Sequence, residues 1–404
     1  MNKCYALVFP VSFFFHALFA QDNWTQKSSL SGTPREGPAG FVIGTRAYMG
    51  TGYYGGTCLN DFWEWDQSTD TWSQKANFPG AVRNAAAAFA IGTKGYLGTG
   101  TSCGGGGYQD DFYEYDPDVN NWMQKADFGG GAMGYAIAFS IAGKGYLGTG
   151  TDINYPVLRK DFWEYDPVAD AWEQKSDFGG TSRIYAVGFS IKDLGYAGTG
   201  KDTNGDKKDF WAYDPSTDTW TQKADFGGTA RWWATGFATG DMGYLGTGSG
   251  LVPTTDFWAY DPTADSWTQK EDFEGVARND AFGFAIGNKG YIGFGNGGSY
   301  LSDLWEYTPD GIPTAIAGHH KEETYLEVFP NPINEQTIVR LHTIELPDEH
   351  MIMKLSAMNG QLLYTLPVID GMVALEHINL SQGIYLCEVS SSNKIIATVR
   401  IAKK

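Results

Sequence analysis

The strongest constraint on the fold is one stretch that recurs six times. Its fullest copy is Asp161-Phe162-Trp163-Glu164-Tyr165-Asp166-Pro167, followed by Trp172-Glu173-Gln174-Lys175. The first half returns at Asp61, Asp111, Asp209, Asp256 and Asp303, so successive copies lie 50, 50, 48, 47 and 47 residues apart. The second half returns at Trp72, Trp122, Trp220 and Trp267. A period near fifty with several strand-like runs per unit points to a β-propeller rather than a helical solenoid.

The two halves do not balance within the chain. Asp303-Leu304-Trp305 has no Trp-x-Gln-Lys after it, whereas Trp24-Thr25-Gln26-Lys27 has no Asp-x-aromatic before it. Joined, they make one blade. The expected fold is therefore all-β, a six-bladed propeller over 21–308 closed by its N-terminal strand, with no free sheet edge at the seam. Burying Trp24 there contributes roughly 1.5–3 kcal/mol.

Each unit reads as four strands. In the third copy these are 135–141, 144–150, 161–165 and a run centred on Trp172, with a variable loop at 151–160. These landmarks resemble the kelch-repeat propellers: an Arg before the first strand, a Gly-Tyr-hydrophobic-Gly-x-Gly second strand, the Asp-x-aromatic third strand and the Trp of the fourth. The resemblance covers about residues 22–308. One detail departs from it, since Gly98-Thr99-Gly100 stands where kelch repeats commonly carry a glycine pair.

The flanks carry an address. Residues 1–20 read as a secretory signal peptide, with Lys3 at its basic end, an apolar run to Phe19 and Ala20 at the cleavage position. No other stretch is fit to cross a membrane as a helix. Residues 309–322 break the period and read as a linker. The segment 323–404 has no tryptophan and alternates apolar and polar residues, as a small all-β domain of about seven strands does. Val328-Phe329-Pro330-Asn331-Pro332, Met358-Asn359-Gly360-Gln361-Leu362-Leu363 and Ile378-Asn379-Leu380-Ser381-Gln382-Gly383-Ile384-Tyr385-Leu386 make it similar to the C-terminal sorting domain of the type 9 secretion system. That resemblance implies an immunoglobulin-like β-sandwich, export across an outer membrane, the secretion machinery as partner, and a product released or attached at the cell surface.

Export permits disulfides. Cys58 and Cys103 sit in equivalent loops of neighbouring blades and are a disulfide candidate, which leaves Cys387 unpaired. A net charge of -18 argues against nucleic acid and anionic lipid as partners. The six histidines (His16, His319, His320, His342, His350 and His377) all lie outside the propeller. A propeller without histidine has no His general base and cannot build the copper site of the galactose oxidases, which share the kelch fold. No metal or cofactor is expected. The run Asp202-Thr203-Asn204-Gly205-Asp206 has the alternating oxygens of a calcium loop but no closing Glu, and reads as a polar turn.

The repeated acids read as structural, bonding backbone amides where their strands begin. Counting back six from each inner-strand Phe gives Arg35, Arg83, Met133, Arg183, Arg231 and Arg278. The kelch resemblance places this level at the channel mouth, where guanidiniums would hold a carboxylate, sulfate or sugar acid. The competing reading pairs each Arg with its own blade's acids and carbonyls. Two residues further on stand Gly37, Ala85, Tyr135, Tyr185, Trp233 and Asp280. Their divergence suggests an asymmetric pocket, in which Tyr135, Tyr185, Trp232 and Trp233 offer flat surfaces to a sugar. The expected function is a non-catalytic exported propeller recognising a glycan or protein at the mouth. The alternatives are a carbohydrate-active enzyme like the kelch-type sialic acid mutarotases and a structural adhesion or matrix component.

Overall fold

The computed structural model describes residues 22–153, 156–250 and 252–309, and further along 325–329, 338–342, 351–357, 361–368, 372–375, 378, 380–391 and 394–403. The expected signal peptide, the expected linker beyond Pro309, and His319 with His320 lie outside these residues. The chain divides into two compact units, Met1–Thr314 and Ala315–Lys404.

In the first unit, six four-stranded antiparallel sheets follow one another. The third runs Ile137–Ile141, Lys144–Gly148, Phe162–Asp166 and Ala171–Lys175 from the inside out. Inner strands pack side by side around a channel, and the last, Phe282–Ile286, meets the first, Ala39–Ile43. This is a closed six-bladed propeller. The strand ends differ from the sequence expectation. The inner strand starts at Ile137 rather than Tyr135 because Tyr135 has φ +62°. The second strand stops at Gly148 because Thr149 (φ +61°) and Gly150 (φ +94°) turn the chain outward. The third strand begins one residue later than expected, at Phe162.

The seam forms as the unbalanced halves require. Asn23–Lys27 pairs antiparallel with Leu304–Thr308, and Trp24 stands opposite Tyr307. Trp24 is 5% exposed, with the rings of Phe257, Phe273 and Tyr307 at 5.0, 4.9 and 5.0 Å. Each outer-strand indole also donates to a carbonyl of the preceding blade. Trp122 reaches Ala76 at 2.9 Å, Trp172 reaches Ala126 at 3.2 Å, and so on round the ring. Trp72 bonds Ser28 at 2.8 Å and Trp24 bonds Glu271 at 3.3 Å, so the N-terminal strand supplies both links that close the circle.

Neighbouring blades also interlock through phenylalanine and glycine. A Cβ added to Gly95 would stand 1.9 Å from the Phe41 ring, and one at Gly290 would stand 2.0 Å from Phe237. Glycine lets five of the six inner-strand Phe side chains seat on the next blade, and Phe284 meets Ala47 instead. The high aromatic content therefore serves packing between blades.

Cys58 and Cys103 are joined, with Cα atoms 5.4 Å apart, and tie the loops of the first two blades. By loop entropy, a link spanning 45 residues contributes about 4 kcal/mol. Replacing both cysteines by alanine should lower the denaturation midpoint accordingly. An unchanged midpoint would show that the bond constrains nothing.

The second unit has two sheets among its described residues. One holds Tyr325–Phe329, Ile338–His342 and Met372–Ala374; the other holds Leu362–Pro367, Met351–Ala357, Gly383–Ser391 and Lys394–Lys403. Val339 and Val373 of the first sheet join Met353, Leu355, Cys387 and Val389 of the second in one core, which makes a β-sandwich. The Tyr385 hydroxyl bonds back to the Ser381 carbonyl at 2.7 Å and pins the entry to its strand.

Candidate functional site: the aromatic mouth of the channel

The five arginines are buried, each at 0% exposure. Arg231 shows why. Its Nη1 and Nη2 donate to the two Asp256 carboxylate oxygens at 2.7 Å each, Nη1 also donates to the Thr247 carbonyl at 2.9 Å, and Nε donates to the Thr229 carbonyl at 3.1 Å. Its flat face lies over Phe226 at 4.8 Å. Arg35 holds Asp61, Arg83 holds Asp111, Arg183 holds Asp209 and Arg278 holds Asp303 in the same way. This corrects the expectation that these guanidiniums face a ligand, because their donors are already committed. The acids bond backbone amides as expected, Asp61, Asp161, Asp209 and Asp303 each their own N–H, and take further partners. Besides guanidinium, all but Asp111, which has Tyr113 there, accept the indole N–H of the Trp two residues on, as Asp61 does from Trp63 at 2.7 Å and Asp256 from Trp258 at 2.9 Å.

The Gly-Thr-Gly departure has a role here. Thr51, Thr99, Thr199 and Thr247 sit at φ +55° to +59°, and their carbonyls accept from the arginines. The third blade solves the same problem from another position. Met133 occupies the Arg slot, fully buried, and Arg159 clamps Asp161 instead while donating to the Gly130 carbonyl at 2.7 Å. Sequence reasoning missed Arg159, although a basic residue two before the Asp in the one blade lacking the Arg was the available signal.

Burial raises the pKa of Asp61, Asp161, Asp209, Asp256 and Asp303, but hydrogen bonds from the paired guanidinium and its charge outweigh it, leaving each below the usual carboxylate range. Their pairing stabilises the fold above the unfolded value of about 4 and is lost as pH falls through the lower folded values.

What does surround the mouth is the divergent register. Gly37, Ala85, Tyr135, Tyr185, Trp233 and Asp280 all adopt positive φ, between +51° and +62°, just before their inner strands. Five of these amides donate to the predecessor's carbonyl round the ring: Ala85 to Gly37 at 3.4 Å, Tyr135 to Ala85 at 3.1 Å, Trp233 to Tyr185 at 3.2 Å, Asp280 to Trp233 at 3.1 Å and Gly37 to Asp280 at 3.0 Å. These six residues, with the Pro or Ala that follows each, line a cavity of about 120 Å³. The inner strands beyond them line a channel of about 460 Å³.

The structure brings the expected aromatics together. Tyr135 and Tyr185 stand 4.8 Å apart, Tyr185 and Trp233 4.6 Å, Tyr185 and Trp232 5.2 Å, and Trp232 and Trp233 4.1 Å. They form a continuous wall, half-buried, along one side. The Trp233 indole N–H has no partner among the described residues. Next to Trp233 in the ring stands Asp280, whose carboxyl is pushed up to about 7 by desolvation and then by the charge of Glu36. Sequence reasoning missed Glu36, which belongs to a second variable register one residue before the turn. In that register Glu36, Asn84 and Trp232 bridge to the loops at Tyr53, Thr101 and Ser249.

A larger opening of about 660 Å³ lies between the loops around Val157 and Asp202. The Asp202 carboxylate is taken up there by Thr181 at 2.9 Å, the Asn204 amide at 2.7 Å and Lys207 at 2.8 Å, so this run is a polar turn.

Six closed blades around a channel with an aromatic mouth, in a chain that also carries a β-sandwich, define the class. Residues 327–404 match the family described as the secretion system C-terminal sorting domain. The protein is therefore exported by type 9 secretion, engages that machinery through this tail, and is released or attached at the cell surface. No helix among the described residues is long and apolar enough to cross a membrane. The chain is similar to the solved structure of YjhT, with a TM-score of 0.61 and 17% identity over 70% of this chain and 97% of that one. At this identity the likeness establishes the propeller fold alone. No curated protein matches the chain.

Proposed function

We propose that this exported propeller is a non-catalytic carbohydrate-binding protein whose ligand seats in the aromatic mouth. The observation that carries the reading is which side chains occupy the strained turns. All six positions sit in the left-handed region, where glycine is free of strain, as at Gly37. A bulky residue there costs about 1–3 kcal/mol. Three consecutive blades nonetheless place Tyr135, Tyr185 and Trp233 at it, with their rings in contact. Flat apolar faces suit the C–H face of a sugar ring, and Asp280 and Glu36 supply acceptors for hydroxyls.

A glycan array probed with the full chain tests this. The wild type should bind a defined set of glycans, and Tyr185→Ala and Trp233→Ala should each weaken binding roughly tenfold, the scale of one lost stacking contact. Silence of the wild type, or equal binding by both folded variants, would overturn the reading. One observation favours an enzyme instead: a carboxyl titrating at about 7 is suited to general acid–base work on a sugar. Anomer exchange accelerated by the wild type and lost in Asp280→Asn, followed by NMR, would select that alternative.

A further inference from the structure

We propose that the mouth selects ligands bearing an ammonium group, an amino sugar foremost; the sugar part of this rests on the carbohydrate reading above. No Lys or Arg lines the cavity. The nearest guanidiniums, Arg231 and Arg278, are fully buried and fully engaged with Asp256 and Asp303. No cationic side chain among the residues lining the cavity therefore compensates an anionic ligand.

The walls instead favour a cation. The faces of Tyr135, Tyr185 and Trp233 carry the negative side of the ring quadrupole, which attracts ammonium groups. The protein already makes such a contact next door, with the Lys201 ammonium 5.1 Å from the centre of the Trp232 ring. Next round the ring from Trp233 stands the Asp280 carboxylate, beside Gly37, where an added Cβ would stand only 2.9 Å from it. Among the described residues no hydrogen bond reaches that carboxylate, whereas Glu36 accepts one from Asn296 at 2.8 Å. Aromatic faces and, next to them, a carboxylate with no hydrogen-bond partner among the described residues are the two halves of an ammonium site. A net charge of -18 draws cations toward it over longer range.

The ring is held constant while its charge is changed. Glucosamine, glucose and glucuronate are titrated into the full chain at pH 7 by calorimetry, with tetramethylammonium as a permanently charged competitor. Glucosamine should bind roughly tenfold more tightly than glucose, and glucuronate most weakly. Asp280→Asn should abolish the difference between the two sugars, so that glucosamine binds no more tightly than glucose does to the same variant. Trp233→Ala should weaken all ligands together. Tetramethylammonium affinity should rise from pH 6 to pH 8 as Asp280 loses its proton, the charged group facing it being Glu36 of the adjoining blade.

Equal affinities for glucose and glucosamine, or a preference for glucuronate, would overturn the ammonium inference and leave the carbohydrate reading standing. Tetramethylammonium binding without any sugar binding would do the reverse. Silence from all four ligands would remove both.

Discussion

Arg231→Met should destabilise the propeller by about 3–5 kcal/mol, because it leaves Asp256 charged, partly buried and without its guanidinium. The protein itself contains the remedy. In the third blade Met133 fills the Arg slot and Arg159, two residues before Asp161, makes the pair. The matching position in the fifth blade is Thr254. The double variant Arg231→Met with Thr254→Arg should therefore regain most of the loss in chemical denaturation. If the double variant stays as unstable as the single one, the carboxylate does not need its partner and this account of the ring fails. The single variant should also lose its deficit toward acid. Asp256 is held below the usual range only while paired, so the difference between the two proteins should shrink below about pH 4 as the carboxylate protonates.

Trp24→Ala is the second large effect. It removes a nearly buried indole from among Phe257, Phe273 and Tyr307 and deletes one of the links that close the circle, at a cost of about 3–5 kcal/mol. Deleting 22–27 altogether leaves Leu304–Thr308 as a bare sheet edge. Such edges template pairing with other chains, so the truncated protein should self-associate in size-exclusion chromatography. A monomeric, equally stable truncation would mean that the seam is sealed by something other than this strand.

The ring was legible because its clues are arithmetic. Repeats at a fixed period and one half-unit displaced to the far end admit few arrangements, and the Trp24 strand followed from that alone. The divergent register, Gly37 through Asp280, was legible for a similar reason: equivalent positions facing one axis reveal their differences on alignment of the repeats. Backbone handedness was not legible. Tyr135 and Trp233 are bulky residues that ordinarily avoid positive φ, so the inner strands were read two residues too long. The arginines show a different limit. Their recurrence was plain, but whether a guanidinium meets solvent or a carboxylate depends on where an Asp some twenty-six residues onward comes to rest, and that is set by the loop between them. Glu36 escaped notice because one blade's acid looks like a chance surface charge until the seam brings it to Asp280.

The position of the seam has one more consequence. The belt is buckled from Asn23 to Thr308, so the leader expected to be cleaved after Ala20 and the sorting tail both fall outside the buckle. Loss of a leader ahead of residue 22, or of the sorting tail after residue 309, takes no strand from the wheel. A proteolytic cut at either place separates the address from the cargo without opening the cargo.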